Sequence, residues 1–388
     1  MNRYDVVVVG GGMVGSALAL GLAKQGYYVS VLESRIPAPF SQEQPADLRV
    51  SAISMATVRL LKDLGAWPAI ESKRVCPYRR VEAWEYSEYQ ISFDASELEV
   101  DQLGYIAENR IVQLSLWEEL ATHERATIHC PSDLHSYLQG DNGVEILLSS
   151  GEKLISDWII GADGPDSRVR SLGDIGITAW DYRQHCMLVS IQTSSEQQET
   201  TWQQFLPSGP RSFLPLFNHH ASLAWYDSPE KITQLSALSP SHLVREIREA
   251  FPVEKNLKEI NILGRGTFPL MRRHAHSYVR GRAIIIGDAA HTIHPLAGQG
   301  ANLGFRDVRF FLDLVLREGK LSDKVTKIYY HRRMIDNLSM QTGMDILYNT
   351  FSNSVLPLKI FRNVALKIVN KTVPVPIKRA LLRSIVDI

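Results

Sequence analysis

Three turns rich in glycine and aspartate carry the chemistry that can be read from this chain. The first is Gly10-Gly11-Gly12-Met13-Val14-Gly15, a GxGxxG between an apolar β-branched run (residues 4–9) and a helical pattern (residues 13–25). Gly10 permits the tight turn, Gly12 lets a pyrophosphate approach the backbone, and Gly15 lets helix and strand pack closely. The amides at the start of that helix, those of Met13 and Val14 included, offer free donors and partial positive charge to an anion. Glu33 closes the next strand (residues 28–32), 18 residues after Gly15. A carboxylate there accepts hydrogen bonds from ribose hydroxyls and repels a 2′-phosphate, so the site suits FAD or NAD rather than NADP.

The second turn is Ile160-Gly161-Ala162-Asp163-Gly164. A buried strand ends here and delivers Asp163 to the mouth of a cofactor site, although a plain Asp-Gly turn ahead of a helix fits the same residues. The third is Gly287-Asp288-Ala289-Ala290-His291, followed by Pro295, Gly298, Gln299, Gly300, Ala301 and Asn302. Asp288 falls at a strand end, where open α/β sheets bind ligands, and could bind a ribityl hydroxyl. Gly298 and Gly300 leave amides exposed at the start of a long helix, where they could stabilise negative charge on a reduced flavin ring. A glycine-rich loop that only caps a helix is the plainer alternative. His291 and His294 lack the third ligand that a metal needs, so local hydrogen bonding is expected and no metal. Arg272-Arg273-His274 reads as a solvated turn, with contact to an NAD(P)H phosphate as the sharper alternative.

The elements that must position these turns follow from periodicity. Gly26 ends the first helix. Residues 36–48, rich in Pro, Gln and Ser, read as a loop, and residues 51–64 as a helix ending at Gly65. Residues 78–93 alternate aromatic and polar side chains, the pattern of strands in a different sheet. A helix is expected over 109–123, a hairpin around Asp141-Asn142-Gly143, strand-rich chain over 180–268 with one helix near 241–250, and a strand at 282–286. A helix should run from about 298 to 317, with mainly helical chain after 322. The fold class expected is α/β: a discontinuous Rossmann-like FAD-binding domain (residues 1–77, 104–179 and 270–320), an inserted β-sheet substrate domain (78–103 and 180–269) and a helical C-terminus (321–388). Trp84, Tyr86, Trp202, Phe205, Phe213, Phe217, Trp225 and Tyr226 are candidate pocket walls, most of them expected to be ordinary core.

Length and composition bound the rest. The 388 residues suffice for two cores. Lys+Arg and Asp+Glu are both 42, so no global field favours nucleic acid. Cys76, Cys130 and Cys186 form no CxxC pair, and an odd count argues against a disulfide framework. A reducing, cytoplasmic setting is expected, with any membrane contact peripheral, at the inner membrane. The last 37 residues carry Lys359, Arg362, Lys367, Lys371, Lys378, Arg379 and Arg383 against Asp387 alone. Such a basic amphipathic segment suits an anionic membrane or a partner, and equally a helix packed on the body.

The three turns, in this order and spacing, resemble the flavoprotein aromatic hydroxylases of the para-hydroxybenzoate hydroxylase class. Arg49-Val50-Ser51-Ala52-Ile53-Ser54, Gly161 to Gly164 and His294 to Gly304 resemble, within that class, the ubiquinone-biosynthesis FAD-dependent hydroxylases. The resemblance covers essentially the whole chain. It implies FAD as cofactor and NAD(P)H as co-substrate. It further implies hydroxylation of a polyprenyl benzoquinol ring with O2 through a flavin C4a-hydroperoxide, and a place near a ubiquinone-biosynthesis complex. It would put Gly10, Gly12 and Gly15 on the pyrophosphate, Glu33 on the ribose, Arg49 along the pyrophosphate and ribityl chain, and Gln113 beside the cofactor. Asp163 would serve both FAD and NAD(P)H, Asp288 the ribityl chain, and Pro295 with Gly298 to Asn302 the isoalloxazine ring; no side chain is assigned as a base. Other ring-position hydroxylases, other flavin oxidoreductases and a non-catalytic FAD-binding subunit are the alternatives.

Overall fold

Val6, Val7 and Val8 are fully buried, as a strand covered on both faces requires. They belong to the strand Asn2–Val9 at the centre of an eight-stranded sheet in the computed structural model, which describes residues 2–252, 257–293 and 300–351. Val29–Leu32 and Lys153–Gly161 flank it in parallel; Ala126–His129 and Ala283–Ile285 extend the parallel set outward. The strand ends that precede Gly10, Glu33, Ala162 and Gly287 therefore share one edge. The hairpin Leu134–Gly140 and Gly143–Leu148 turns at Asp141-Asn142 and joins the start of Lys153–Gly161.

Helix Met13–Lys24 packs against this sheet and against both Asn109–Thr122 and Gly300–Glu318. The approach at Gly21 is close: a Cβ there would lie 2.2 Å from Leu312 Cδ1. Gly26 takes φ +97° just past the first helix, a conformation that glycine adopts without strain.

A second eight-stranded sheet runs in the order His291–Thr292, Ile260–Ala275, Ile177–Thr193, His220–Asp227, Arg211–Pro215, Thr200–Gln204, Arg80–Trp84, Ile91–Asp94. Its long strands pass through residues 179–180 and 269–270. One face packs on helices Pro229–Ala237 and Pro240–Ala250 through Trp84, Trp202, Phe213, Trp225, Ile232 and Leu243. The alternating residues 78–93 thus supply strands of a separate sheet.

Two elements differ from the sequence reading. Residues 51–64 are not one helix: Val50–Ser54 is a strand, paired antiparallel with Gly104–Glu108, and the helix is Met55–Asp63. Ser54 stops the strand and caps the helix by accepting from Thr57 N. Helix Pro229–Ala237 was not anticipated, although Ser228 accepting from Lys231 N and Pro229 at the first position form a helix-start signature.

Trp225 is 2% exposed, lies edge-on to Phe251 and receives the Arg211 guanidinium on its face. Trp225→Ala should destabilise the fold by about 3–5 kcal/mol; an unchanged urea midpoint would contradict this packing.

Candidate functional site

The shared edge of the first sheet opens into a cleft of about 1000 Å³. Its floor is Gly12, Met13 and Val14 from the first turn, Ala162, Gly164 and Pro165 from the second, and Ile286 and Asp288 from the third, with Gly300, Ala301 and Gly304 beside them. A second wall holds Asp47, Arg49, Ser51, Asn109, Arg110 and Gln113; a third, from the second sheet, holds Leu188, Phe268, Leu270, Met271 and Arg273. A smaller concavity of about 390 Å³ at Arg79, Arg80, Asp94, Asp101 and Glu199 is polar, and both its arginines are engaged in the pairs Arg79–Glu199 and Arg80–Asp94.

The glycines of the first turn do different work. A Cβ on Gly15 would sit 1.9 Å from Gly10 O, and one on Gly10 would sit 2.4 Å from Ala162 O, so both are demanded by the fold. A Cβ on Gly12 would meet nothing within 4 Å. Gly12 has ordinary backbone angles and precedes a helix that no side chain caps. Its lack of a side chain matters only to whatever occupies the cleft, and a pyrophosphate against uncapped amides fits.

Gly11 is held rigidly. Its N–H donates to Glu33 Oε2 at 2.8 Å, and its carbonyl accepts from Ser16 Oγ, Gln113 Nε2 and Trp117 Nε1 at 2.8–2.9 Å. Glu33 also accepts from Arg35 N and Ser34 Oγ. It therefore braces the turn and does not line the cleft. Gln113 does both. Trp117, which sequence reasoning missed, lies on the same helix face one turn later.

Arg49 is exposed along the cleft wall and makes no ion pair among the described residues; the buried Arg74–Glu108 pair and the Arg110–Asp47 pair fix the chain on either side of it. Asp288 stands at the cleft bottom, crowded by protein yet reached by solvent. That crowding raises its carboxyl above the ordinary value, while His291 and Arg49 pull it back. His291 makes the local bond expected of it, Nε2 to Asp307 Oδ2 at 2.5 Å. Burial would raise Asp307, but His291 and Arg333 outweigh it and hold the carboxyl at about 2.

Two named residues face elsewhere. Asp163 Oδ2 accepts from the amides of Arg168 (2.7 Å) and Val169 (3.3 Å), tying the turn to the helix Arg168–Leu172. Asn302 is 1% exposed; it donates to Ala52 O and accepts from Ser54 N and Thr57 Oγ1. It locks the helix Gly300–Glu318 to the strand before Ser54. Pro295, Gly298, Gln299 and His294 lie outside the described residues. None of the eight candidate aromatics lines the cleft: Trp84, Trp202, Phe213 and Trp225 belong to the opposite face of their sheet. Phe268 and Leu188 form the apolar wall instead; their alternation within long strands was the available signal. Arg273 lines the cleft from a strand rather than a turn, paired with Asp166 at 2.7 Å.

Gly12→Val should leave the melting temperature nearly unchanged and abolish FAD retention, whereas Gly15→Val should prevent folding because it strikes backbone. FAD bound by Gly12→Val as tightly as by the unaltered protein would refute the assignment.

The FAD binding domain family matches residues 3–320. The 3-demethoxyubiquinol 3-hydroxylase of Escherichia coli (strain K12) is 47% identical over 367 residues, covering 93% of each chain. The human mitochondrial ubiquinone biosynthesis monooxygenase COQ6 is 31% identical over 427 residues, covering 96% of this chain and 90% of that protein. Among solved structures, p-nitrophenol 4-monooxygenase from Pseudomonas putida DLL-E4 shares the fold with a TM-score of 0.81 at 20% identity, over 99% of this chain and 98% of that one. With identity running through nearly the whole length of its relatives, the chain belongs to the FAD-dependent hydroxylases of ubiquinone biosynthesis and is an FAD-dependent monooxygenase.

Proposed function

We propose that the enzyme hydroxylates the ring of a polyprenyl benzoquinol, of the 2-octaprenyl-3-methyl-6-methoxy-1,4-benzoquinol type, using NAD(P)H and O2. The observation that carries this reading is one cleft lined both by the open glycine turn and by the apolar residues Leu188, Phe268 and Leu270. The name of the 47% identical relative supports the substrate class.

FAD, when bound, would supply the redox chemistry, in which two electrons from NAD(P)H and one O2 put one oxygen atom on the ring and the other into water. The chain's own residues bind and orient. Gly12 and the amides of Met13 and Val14 receive the pyrophosphate, Arg49 adds a positive charge beside it, and Gln113 and Asp288 offer polar groups to the cofactor's hydroxyls. The apolar wall seats the quinol ring and excludes water, which protects a reactive oxidant from unproductive decay.

The sheet around Asn2–Val9 is in this reading the core of a cofactor domain, and the sheet around Ile177–Thr193 that of a substrate domain. The basic run from Lys359 to Arg383 supports peripheral contact with an anionic membrane surface or with a partner in quinone synthesis. No helix among the described residues is long and apolar enough to cross a membrane.

Purified protein loaded with FAD should oxidise NAD(P)H faster when a prenylated benzoquinol analogue is added, and mass spectrometry should show product heavier by one oxygen atom. NAD(P)H oxidation indifferent to the quinol, with no change in its mass, would overturn the proposal.

A further inference from the structure

The helix Asp323–Phe351 begins just beyond the matched FAD-binding segment, which ends at residue 320. Its inward face is not the apolar stripe that a packed helix usually shows. Tyr329, Arg333, Asn337, Gln341 and Asp345 follow one another at four-residue steps, and the first four are at most 5% exposed. Each gives at least one polar contact to an element that borders the cleft.

Tyr329 donates to Ile285 O, at the end of the strand that leads into Gly287. Arg333 Nε donates to Asp307 Oδ1 at 2.7 Å, and Asn337 Nδ2 to the same oxygen at 3.2 Å. Arg333 Nη2 also donates to Asn337 Oδ1. The other oxygen of Asp307 accepts from Gly287 N at 3.1 Å, the residue immediately before Asp288. Gln341 Nε2 donates to Arg273 O (2.9 Å) and Thr292 O (3.1 Å), and its Oε1 pairs with His274 Nδ1. Asp345 accepts from Tyr182 at 2.5 Å and pairs with Arg272. Tyr182 and Tyr348 pack into the cluster that holds Leu188, Phe268 and Leu270.

A buried polar stripe is costly unless every group is satisfied, and it fixes register more sharply than apolar packing does. We propose that this helix is a positioning element for both ligands. Arg333 and Asn337, through Asp307, set the turn that presents Asp288 to the cofactor. Asp345, through Arg272 and Tyr182, sets the apolar wall at the substrate end. The second half rests on the substrate reading above; the first does not.

The near-isosteric variants Asp307→Asn and Asp345→Asn separate the two ends. Loss of one charge-assisted hydrogen bond predicts that Asp307→Asn weakens FAD binding at least about tenfold, read by flavin fluorescence titration, with the quinol KM at saturating FAD within about twofold of the unaltered enzyme. Asp345→Asn should raise the quinol KM about tenfold and leave the FAD dissociation constant within about twofold. If Asp307→Asn does not fold, Asn337→Ser, which removes one of the donors to Asp307, takes the same titration. Variants that melt earlier yet bind both ligands as before would make the helix purely structural and overturn the proposal. The FAD titration requires no substrate, so it decides the first half even if the quinol proves not to be turned over.

Discussion

Everything about the cleft depends on how the first turn is confined. Gly10 and Gly15 are boxed in by backbone, Gly11 is bonded on both its N–H and its carbonyl, and Gly12 alone faces open space. Four neighbouring residues thus divide the labour. Three fix the chain and one is left bare. Gly11 donates to Glu33 at the second strand's end and accepts from Gln113 and Trp117 of the helix Asn109–Thr122, so the geometry of this turn is set by elements about twenty and a hundred residues away. A turn held this way needs little reorganisation to receive an anion, which is where affinity is gained.

The same economy governs the third turn. Asp288 reaches the cleft because Gly287 is held by Asp307, and Asp307 keeps its charge in a dry interior because His291 and Arg333 flank it. The ionised carboxylate is therefore part of the scaffold, and the exposed one beside it is left to meet a ligand.

The parts of this arrangement that are local in sequence could be read from it. The strand–turn–helix around Gly12, the hairpin at Asp141-Asn142 and the strand ends at Ala162 and Gly287 all follow from patterns a few residues long. What could not be read depends on distant partners. Asn302 belongs by sequence to a glycine-rich loop, yet its amide donates to a carbonyl 250 positions away. Glu33 closes its strand where the local pattern expects a ribose ligand, and that pattern does not reveal that it also braces Gly11, 22 residues away. Residues 51–54 have helical periodicity, but pairing with Gly104–Glu108 overrides it. The polar face of Asp323–Phe351 escapes notice because hydrophobic periodicity says nothing of a helix whose inner face is made of hydrogen-bonding side chains.

The paired strands Ile177–Thr193 and Ile260–Ala275 begin and end beside the Gly176–His276 backbone bond, and their pairing is interrupted between Asp181 and His185, where Arg183 takes φ +52°. Tyr182, Arg183 and Gln184 stand opposite Leu270 alone, a bulge in an otherwise paired ribbon. A bulge bends its strand and re-aims the side chains next to it, so the slant of the greasy wall around Leu270 follows from these extra residues and not from a regular pleat.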